Sequence, residues 1–436
     1  MRVHPAFTGT QNRQAYLMLK KKITLISGIA IAISMVVGSG LFGLPGLAIS
    51  ATNPLTALLG WGLVVLLMPP LIYVFSWLGR QHPSSEGVSL YASMGLGQWS
   101  RPGIMMITCG TLAVGMPAFF LVGGNYIAAL LELDSTRWSI PCALLLACVT
   151  TAINLRGVEN LGFVNKLVVA LVLGVVAYIS IRTMPSIPAA FAGVTTNSIS
   201  TIPLAQIWLA MSIVFWAFQG WENMTFGFAE IENPKVNIPL IYWISFALVS
   251  VIYVVFALAI FAGAEQGLNV SGLSGVAALL PSSIWGRVAL IVMVFILVAN
   301  ANSWVFGSSR AFFSASELRL LPSALGVLNS KGIPARMLIA AFVMYSLIII
   351  AMWYFNIDEH YAFLLTTQGF IILYGGAVLA FMRGTKRWWQ WLIGLVAGAS
   401  WVFLMQGFGW MILYPIGLML AGVLLRSRHT PVEKVA

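Results

Sequence analysis

The chain has 436 residues, of which 60% are hydrophobic and only 8% are charged. Because an ordinary soluble protein carries roughly 25% charged residues, this composition excludes a soluble globule and indicates an integral membrane protein. The net charge of +11 would suit a nucleic-acid partner, but the placement of the charges along the chain explains it without one.

The apolar runs of the chain predict an all-α protein with about 12 transmembrane helices. A polar tail at 1–23 comes first, and a membrane-spanning helix needs about 20 apolar residues. The segment 264–283 is too polar to span and is predicted to form an outer loop or a short surface helix. The twelve predicted spans are 24–50, 54–78, 102–131, 138–156, 160–183, 203–230, 238–263, 285–309, 335–355, 361–381, 388–405 and 407–426.

Basic residues indicate the orientation of these spans. If the N-terminal tail is cytoplasmic, 20 of the 23 Lys and Arg residues fall on the cytoplasmic side. Only Arg137, Arg182 and Arg287 remain on the outer side. Because positively charged loops stay on the cytoplasmic side of membranes, we predict that both termini are cytoplasmic.

The first span contains the stretch MVVGSGLFGLP, from Met35 to Pro45, in which glycine and proline weaken an otherwise apolar helix. One interpretation is close helix packing, because Ser34 and Gly38 have the small-xxx-small spacing. The other is a discontinuous helix whose unwound backbone lines a cavity. The free amides at the N-terminus of a half-helix can then bind an anion such as a carboxylate.

The sixth span holds a second interruption, in FWAFQGWEN. Gly220 lies near its middle, beside Gln219, Glu222 and Asn223. Two glycine-interrupted spans at corresponding places in two halves indicate a transporter site and favour the discontinuous interpretation. Spans one and six are five apart, as a five-plus-five inverted repeat requires. The predicted organisation is a first repeat at 24–183, a second repeat at 203–381, two further spans at 388–426 and a cytoplasmic tail at 427–436.

Glu222 is the one of the twelve acidic residues that falls well inside a predicted span. Burying a carboxylate at this depth costs several kcal/mol unless the group is paired or protonated. Glu222 is therefore a candidate proton carrier. The alternative is a structural acid held by the amides of the unwound backbone.

Other candidate residues are open to two interpretations each. In the eighth span, Asn300 and Asn302 line the cavity or bond neighbouring helices. Trp216 and Phe218 flank the second interruption, where they pack against other spans or gate a site. Lys166 lies just inside the fifth span, and its ammonium snorkels to the cytoplasmic face or takes the place of a coupling cation.

Four motifs resemble those of the amino acid–polyamine–organocation (APC) transporters. GSGLFGLP resembles their first-span signature, and FWAFQGWEN…EIENPKVNIP resembles their sixth-span motif. SSRAFFSASELRLLP…NSKGIP is similar to their loop after the eighth span. HPSSEGVSLYASMGLG is similar to the loop after the second span, with Glu86 in place of the first of its paired glycines. VGMPAFF in the third span is similar to the bacterial amino-acid efflux branch, whose known member exports methionine and branched-chain amino acids.

The resemblance implies a LeuT-like fold with discontinuous helices 1 and 6 and a central substrate site. It also implies that Glu222 gates the site or couples transport to an ion. The residues implied for the site are Gly38, Ser39 and Gly40 for the substrate carboxylate and Trp216, Ala217 and Phe218 for its ammonium, with Gly220 beside them.

We therefore predict a secondary transporter of neutral, apolar L-amino acids such as methionine, leucine, isoleucine and valine, in a bacterial inner membrane. Export by proton antiport is the first hypothesis for its direction, and uptake by proton symport is the alternative. A channel or membrane sensor is a hypothesis of another class. The expected partners are an amino acid, the proton and the lipid bilayer, with no nucleic acid. No cofactor, metal site or enzymatic activity is expected, because the sequence has no P-loop, metal-ligand cluster or nucleophile–base pair.

Overall fold

The computed structural model describes residues 23–84, 87–156, 161–225, 227–228, 231–330 and 332–429. Within them, twelve helical segments are long and apolar enough to cross a membrane, which confirms the predicted all-α class and number of spans. The predictions for the tails at 1–22 and 430–436 and for Glu86 lie outside the described residues. The spans are Leu25–Ala51, Pro54–Gln81, Gln98–Leu130, Ser135–Arg156, Lys166–Ala192, Leu204–Thr225, Pro234–Glu265, Ile284–Glu317, Ala335–Tyr354, Glu359–Gly384, Trp388–Met405 and Gly409–Arg426.

Besides the first and sixth spans, which are interrupted, three spans contain an α-helix with different bounds. The α-helix of the third span is Arg101–Leu130, that of the fifth is Leu161–Thr183, and that of the twelfth is Leu413–His429. Two short helices, Ile187–Ala192 and Thr196–Ser200, follow the α-helix Leu161–Thr183 and lead to the sixth span. Hydropathy did not reveal them, because they are far shorter than a membrane span.

Polar residues mark the points at which several spans begin. The Asn53 side chain accepts a hydrogen bond from the backbone N–H of Thr56 at 2.9 Å, and proline follows at the first helical position. Asp358 accepts from the N–H of His360 in the same way at 3.0 Å. Such side chains satisfy N–H groups that have no partner in the first turn of a helix, so they fix where the helix starts.

The tenth span lies at the centre of the bundle, and the last two spans lie at its edge. In the tenth span, 83% of the most apolar window is buried, against 22% in the eleventh and 11% in the twelfth. The tenth span is therefore surrounded by protein, whereas the eleventh and twelfth present most of their apolar surface to lipid.

The segment after the second span contains a buried helix, where the sequence indicated a loop. This helix, Val88–Leu96, packs on the tenth span at a glycine. A Cβ atom on Gly376 would lie 2.8 Å from the Cα of Ala92, so the two helices touch backbone to backbone. Tyr91, on the same short helix, is fully buried.

The polar segment 264–283 is packed more closely than the predicted outer loop or surface helix. The backbone N–H of Gly272 donates to the carbonyl of Gly46 at 3.2 Å and lies 2.8 Å from the Ser50 hydroxyl oxygen. Val270 and Val276 are buried. The segment therefore covers the second half of the first span. Although the segment as a whole is polar, its buried valines and its glycines make the contact with that span.

Candidate functional site

The first span is discontinuous. Its first half-helix is Leu25–Val36 and its second is Ser39–Ala51. Val37 between them has extended dihedral angles (φ −91°, ψ 107°), which interrupts the helical hydrogen bonds. The discontinuous interpretation is therefore the one that describes this span.

Side chains from two other spans hold carbonyl groups at the first break. The amide of Asn300, in the eighth span, donates to the Ser34 carbonyl at 2.6 Å. The hydroxyl of Tyr253, in the seventh span, lies 2.9 Å from the Val36 carbonyl oxygen. These contacts satisfy backbone acceptors that a continuous helix would have satisfied itself.

The backbone N–H groups at the first break are free. Among the described residues, nothing accepts a hydrogen bond from the N–H of Gly38, Ser39 or Gly40. These three amides stand at the N-terminus of the second half-helix, which is the positive end of its dipole. An anion such as a carboxylate would satisfy them.

The sixth span is interrupted as well. Its α-helix Leu204–Val214 continues as the 3-10 turn Phe215–Phe218, and a short helix, Trp221–Thr225, follows after two residues. Gly220 has a φ of 125°, which residues with a side chain rarely adopt. A Cβ atom there would also lie 2.8 Å from the carbonyl oxygen of Met35, so this position requires glycine.

The two breaks are in direct contact. Gly220 packs on the end of the first half-helix, and a Cβ atom on Gly40 would lie 2.6 Å from the Cα of Ala217. The Tyr253 hydroxyl lies 2.6 Å from the Ala217 carbonyl oxygen as well as 2.9 Å from that of Val36. The substrate residues predicted at 38–40 and at 216–218 therefore meet at one place.

Two glycines of the first break are needed for close packing. The small-xxx-small spacing in the sequence indicated such packing without naming the partners. The backbone of Ala217 fills the space beside Gly40 in this conformation. A Cβ atom on Gly38 would collide with the amide group of Asn300. Close packing and helix interruption, treated as alternatives from the sequence, thus occur together.

Glu222 is buried, and both of its carboxyl oxygens have partners. Oε1 accepts a hydrogen bond from the backbone N–H of Gly220 at 2.9 Å, and Oε2 accepts from the hydroxyl of Tyr374 at 2.6 Å. These contacts are those expected of an acid that holds the unwound backbone. A carboxyl group that exchanges a proton can make the same contacts. The coupling role of Glu222 therefore stays a prediction.

The two asparagines of the eighth span have different positions. Asn300 reaches the first break, but the Asn302 side chain accepts a hydrogen bond from Asn154 of the fourth span at 2.9 Å. Two residues along an α-helix correspond to a rotation of about 200°, so the two side chains point in nearly opposite directions. The contact that Asn302 makes is therefore one between two helices, and its place in the substrate site stays a prediction without a supporting contact.

The aromatic residues at the second break also diverge. Trp216 packs edge-on against Phe363 of the tenth span, with ring centroids 4.9 Å apart. Phe218 packs against Tyr253 of the seventh span at the same distance, 4.9 Å. One aromatic side chain thus faces the centre of the bundle and the other faces the seventh span.

Lys166 lies on the exposed side of its helix. Ala170, Leu173 and Ala177 follow it at helical spacing and are exposed too. No described hydrogen bond or ion pair joins Lys166 to either break. This position agrees with snorkelling, and its role as a coupling cation stays a prediction without a supporting contact.

Two tyrosines at the site were missed by the sequence analysis. Tyr253 and Tyr374 are buried, and their hydroxyls reach the breaks from the seventh and tenth spans. A buried tyrosine needs a hydrogen-bond partner, so a tyrosine in the middle of an apolar span was the available signal. In the part of the chain that the structure describes, no group of three His, Cys, Asp or Glu residues could hold a metal ion.

This geometry defines a class of protein. Two discontinuous membrane helices touch at their breaks, one with free backbone amides and the other with a buried carboxyl group, which is the arrangement of a secondary transporter. The family described as amino acid permease matches residues 23–433, and the chain belongs to that family, whose members have a 12-helix LeuT-like fold.

Individual relatives are distant but cover nearly the whole chain. An uncharacterized amino acid permease, YecA, of Bacillus subtilis is 24% identical and covers 93% of this chain and 95% of its own length. The L-methionine/branched-chain amino acid exporter YjeH of Escherichia coli is 26% identical, with 95% and 98% covered. The gamma-aminobutyric acid permease of Bacillus subtilis is 25% identical, with 83% and 79% covered.

Proposed function

We propose that this amino-acid transporter carries neutral, apolar L-amino acids of the methionine, leucine, isoleucine and valine type, and that it exports them by proton antiport with alternating access. The observation that carries the proposal is the free set of N–H groups at 38–40, held against the backbone at 216–218. A carboxylate on the amides and an ammonium near the carbonyls would hold the α-carbon of an amino acid between the two breaks.

The surroundings of the breaks support an apolar side chain for the substrate. Trp216 and Phe363 form an aromatic pair beside the second break. Among the described residues, Glu222 is the one acidic or basic side chain that is buried, and both its oxygens are engaged. A lysine-like or glutamate-like side chain would therefore lack a charged partner, and burying an unpaired charge is costly.

The relatives support export and leave uptake as the alternative. One relative is a methionine and branched-chain amino acid exporter, and another is a gamma-aminobutyric acid permease. Both cover most of this chain at similar identity. Proton symport into the cell uses the same fold, so direction must be measured in both orientations.

Counterflow in proteoliposomes tests the substrate. Vesicles are loaded in turn with each of the twenty amino acids, and the uptake of labelled leucine is followed. We expect exchange with methionine, leucine, isoleucine and valine, and none with lysine or glutamate. Exchange confined to basic or acidic amino acids would contradict the proposal.

The proposal includes a topology with both termini cytoplasmic in the inner membrane, and cysteine labelling tests it. Cys148 is exposed and is first replaced by alanine. New cysteines at Asp134 and Asp358 should then react with an impermeant reagent added from outside, and one at Lys386 should not. The opposite pattern would overturn the topology derived from the charge distribution.

A further inference from the structure

Gln219, at the second break, has a side-chain amide with no partner. Its Oε1 and Nε2 atoms are both buried, and neither makes a hydrogen bond within the described residues. Leaving a buried donor and acceptor unpaired is unfavourable, and native proteins rarely keep such groups without a reason. A ligand bound at the second break would supply the missing partner.

The direction of this amide follows from the residues on either side of it. Gln219 directly follows Phe218 at the end of a 3-10 turn, in which successive side chains are rotated by about 120°, so it does not share the face of Phe218, which packs on the seventh span. The N–H of Gln219 also closes a 3-10 turn onto the carbonyl of Trp216 at 2.9 Å. In a 3-10 turn, residues three apart eclipse each other, so Gln219 shares the face of Trp216.

The face that Trp216 and Gln219 share packs along the tenth span. Trp216 packs on Phe363, and Glu222, three residues after Gln219, accepts a hydrogen bond from Tyr374. Gln219 therefore lies opposite the helical stretch between these two contacts. Thr367 belongs to the same stripe, since it follows Phe363 by one turn and precedes Tyr374 by two.

Thr367, like Gln219, is a buried polar residue without a hydrogen-bond partner among the described residues. It is fully buried, and its hydroxyl has no hydrogen-bond partner in the described part of the chain. Two unpaired polar side chains thus face one region, between the aromatic pair on one side and the buried carboxyl of Glu222 on the other. An apolar side chain of a substrate would leave both of them unpaired.

We propose that the Gln219 amide and the Thr367 hydroxyl bind the charged head of the substrate, its α-ammonium and α-carboxylate; this rests on the proposed function. An amide offers one acceptor and two donors at its tip, and an α-amino acid offers a charged donor and a charged acceptor on one carbon. Both residues stand beside the 216–218 backbone proposed for the ammonium. The same head is common to all amino acids, so these residues recognise the class and not the side chain.

Transport kinetics of Gln219→Leu test this assignment. Hydrogen bonds to charged groups contribute enough that we expect KM to rise about 10- to 100-fold, by a common factor for leucine, methionine and valine. Thr367→Val should raise KM about 2- to 10-fold, again by one factor for all three.

Gln390→Leu is the matched control. Gln390 is a buried glutamine of the eleventh span whose amide is hydrogen-bonded to Thr385 and Tyr73. Its replacement should lower the melting temperature and leave KM unchanged. Gln219→Leu, measured without substrate, should melt no lower than the parent protein, because it removes an unpaired amide.

The outcomes separate the inference from the function on which it rests. If the parent protein exchanges no amino acid, the proposed function fails. If it does, and Gln219→Leu and Gln219→Asn both keep the parent KM, the assignment is overturned. It is also overturned if KM rises only for substrates with polar side chains, or if Gln219→Leu lowers the melting temperature while KM stays the same.

Discussion

The two breaks satisfy their freed backbone groups in different ways. At the first break, Asn300 and Tyr253 of other spans hold the carbonyls, and no described residue accepts a hydrogen bond from the N–H groups at 38–40. At the second break, the freed N–H of Gly220 is held by Glu222 of the same segment. The first break can therefore keep its amides for a ligand, whereas the second break uses its own carboxyl group to hold the freed amide.

The largest loss of substrate binding is expected from a substitution that forces the two breaks apart. Gly40→Leu should abolish substrate binding, because even its Cβ atom would lie 2.6 Å from the Cα of Ala217. Binding of labelled leucine to purified protein measures this, with gel filtration to confirm folding. Gly62→Leu is the control, since Gly62 is exposed with no atom near its Cβ position. Normal affinity in Gly40→Leu would show that the breaks need not touch.

The next effect concerns the carboxyl group of the second break. Glu222→Gln should stop the accumulation of substrate driven by a pH gradient, because glutamine keeps the hydrogen bonds of a protonated acid but cannot release a proton. Homoexchange of substrate should survive, and the pH dependence of flux should flatten. Flux in proteoliposomes with and without a pH gradient measures both. Accumulation with the parent pH dependence would make Glu222 a structural acid.

The two asparagines of the eighth span test the first break, because Asn300 contacts it and Asn302 serves as the control. Asn300→Ala removes the hydrogen bond to the Ser34 carbonyl, which contributes about 0.5–1.5 kcal/mol, and because this bond holds the backbone at the first break, substrate affinity should fall about 10- to 100-fold. Asn302→Ala removes a contact with Asn154 and should cost about 1 kcal/mol of stability with affinity unchanged. Equal losses of affinity in the two variants would contradict the separation of these residues.

The smallest effect is expected at the tyrosine that touches both breaks. Tyr253→Phe removes one neutral hydrogen bond, which contributes about 0.5–1.5 kcal/mol, so KM should rise about 2- to 10-fold. Tyr414→Phe is the control, because its hydroxyl binds the Gly110 carbonyl away from the breaks. An equal change in both variants would mean that Tyr253 acts only through stability.

Much of the fold was predictable from the sequence, because membrane spans depend on local composition. Runs of apolar residues gave the twelve helices, and glycine marked both interruptions. The burial of Val88–Leu96 and of the segment 264–283 was not predictable, since short or polar segments carry no span signal. Their positions depend on glycine contacts with residues far away in the chain.

The site was predictable only where a residue is unusual for its surroundings. Glu222 stood out as an acid inside a span, and the glycines stood out as helix breakers. Tyr253 and Tyr374 did not, because other spans hold tyrosines too, such as Tyr73 and Tyr126, and the sequence does not show which hydroxyls reach a break. Asn300 and Asn302 differ only by their rotation about one helix, and the sequence gives no reference point for that rotation until a neighbouring span is placed.

The position of Tyr253 has a consequence for how the breaks influence each other. A phenol carries one hydrogen, yet two carbonyl oxygens lie within 3 Å of it, at 2.9 and 2.6 Å. Donation to one carbonyl leaves the other with an electron pair facing the phenol oxygen, so full bonds to both exclude each other. A ligand cation that occupies one carbonyl releases the hydrogen for the other. Under the proposed function, a single O–H group would then respond at one break to an ammonium bound at the other.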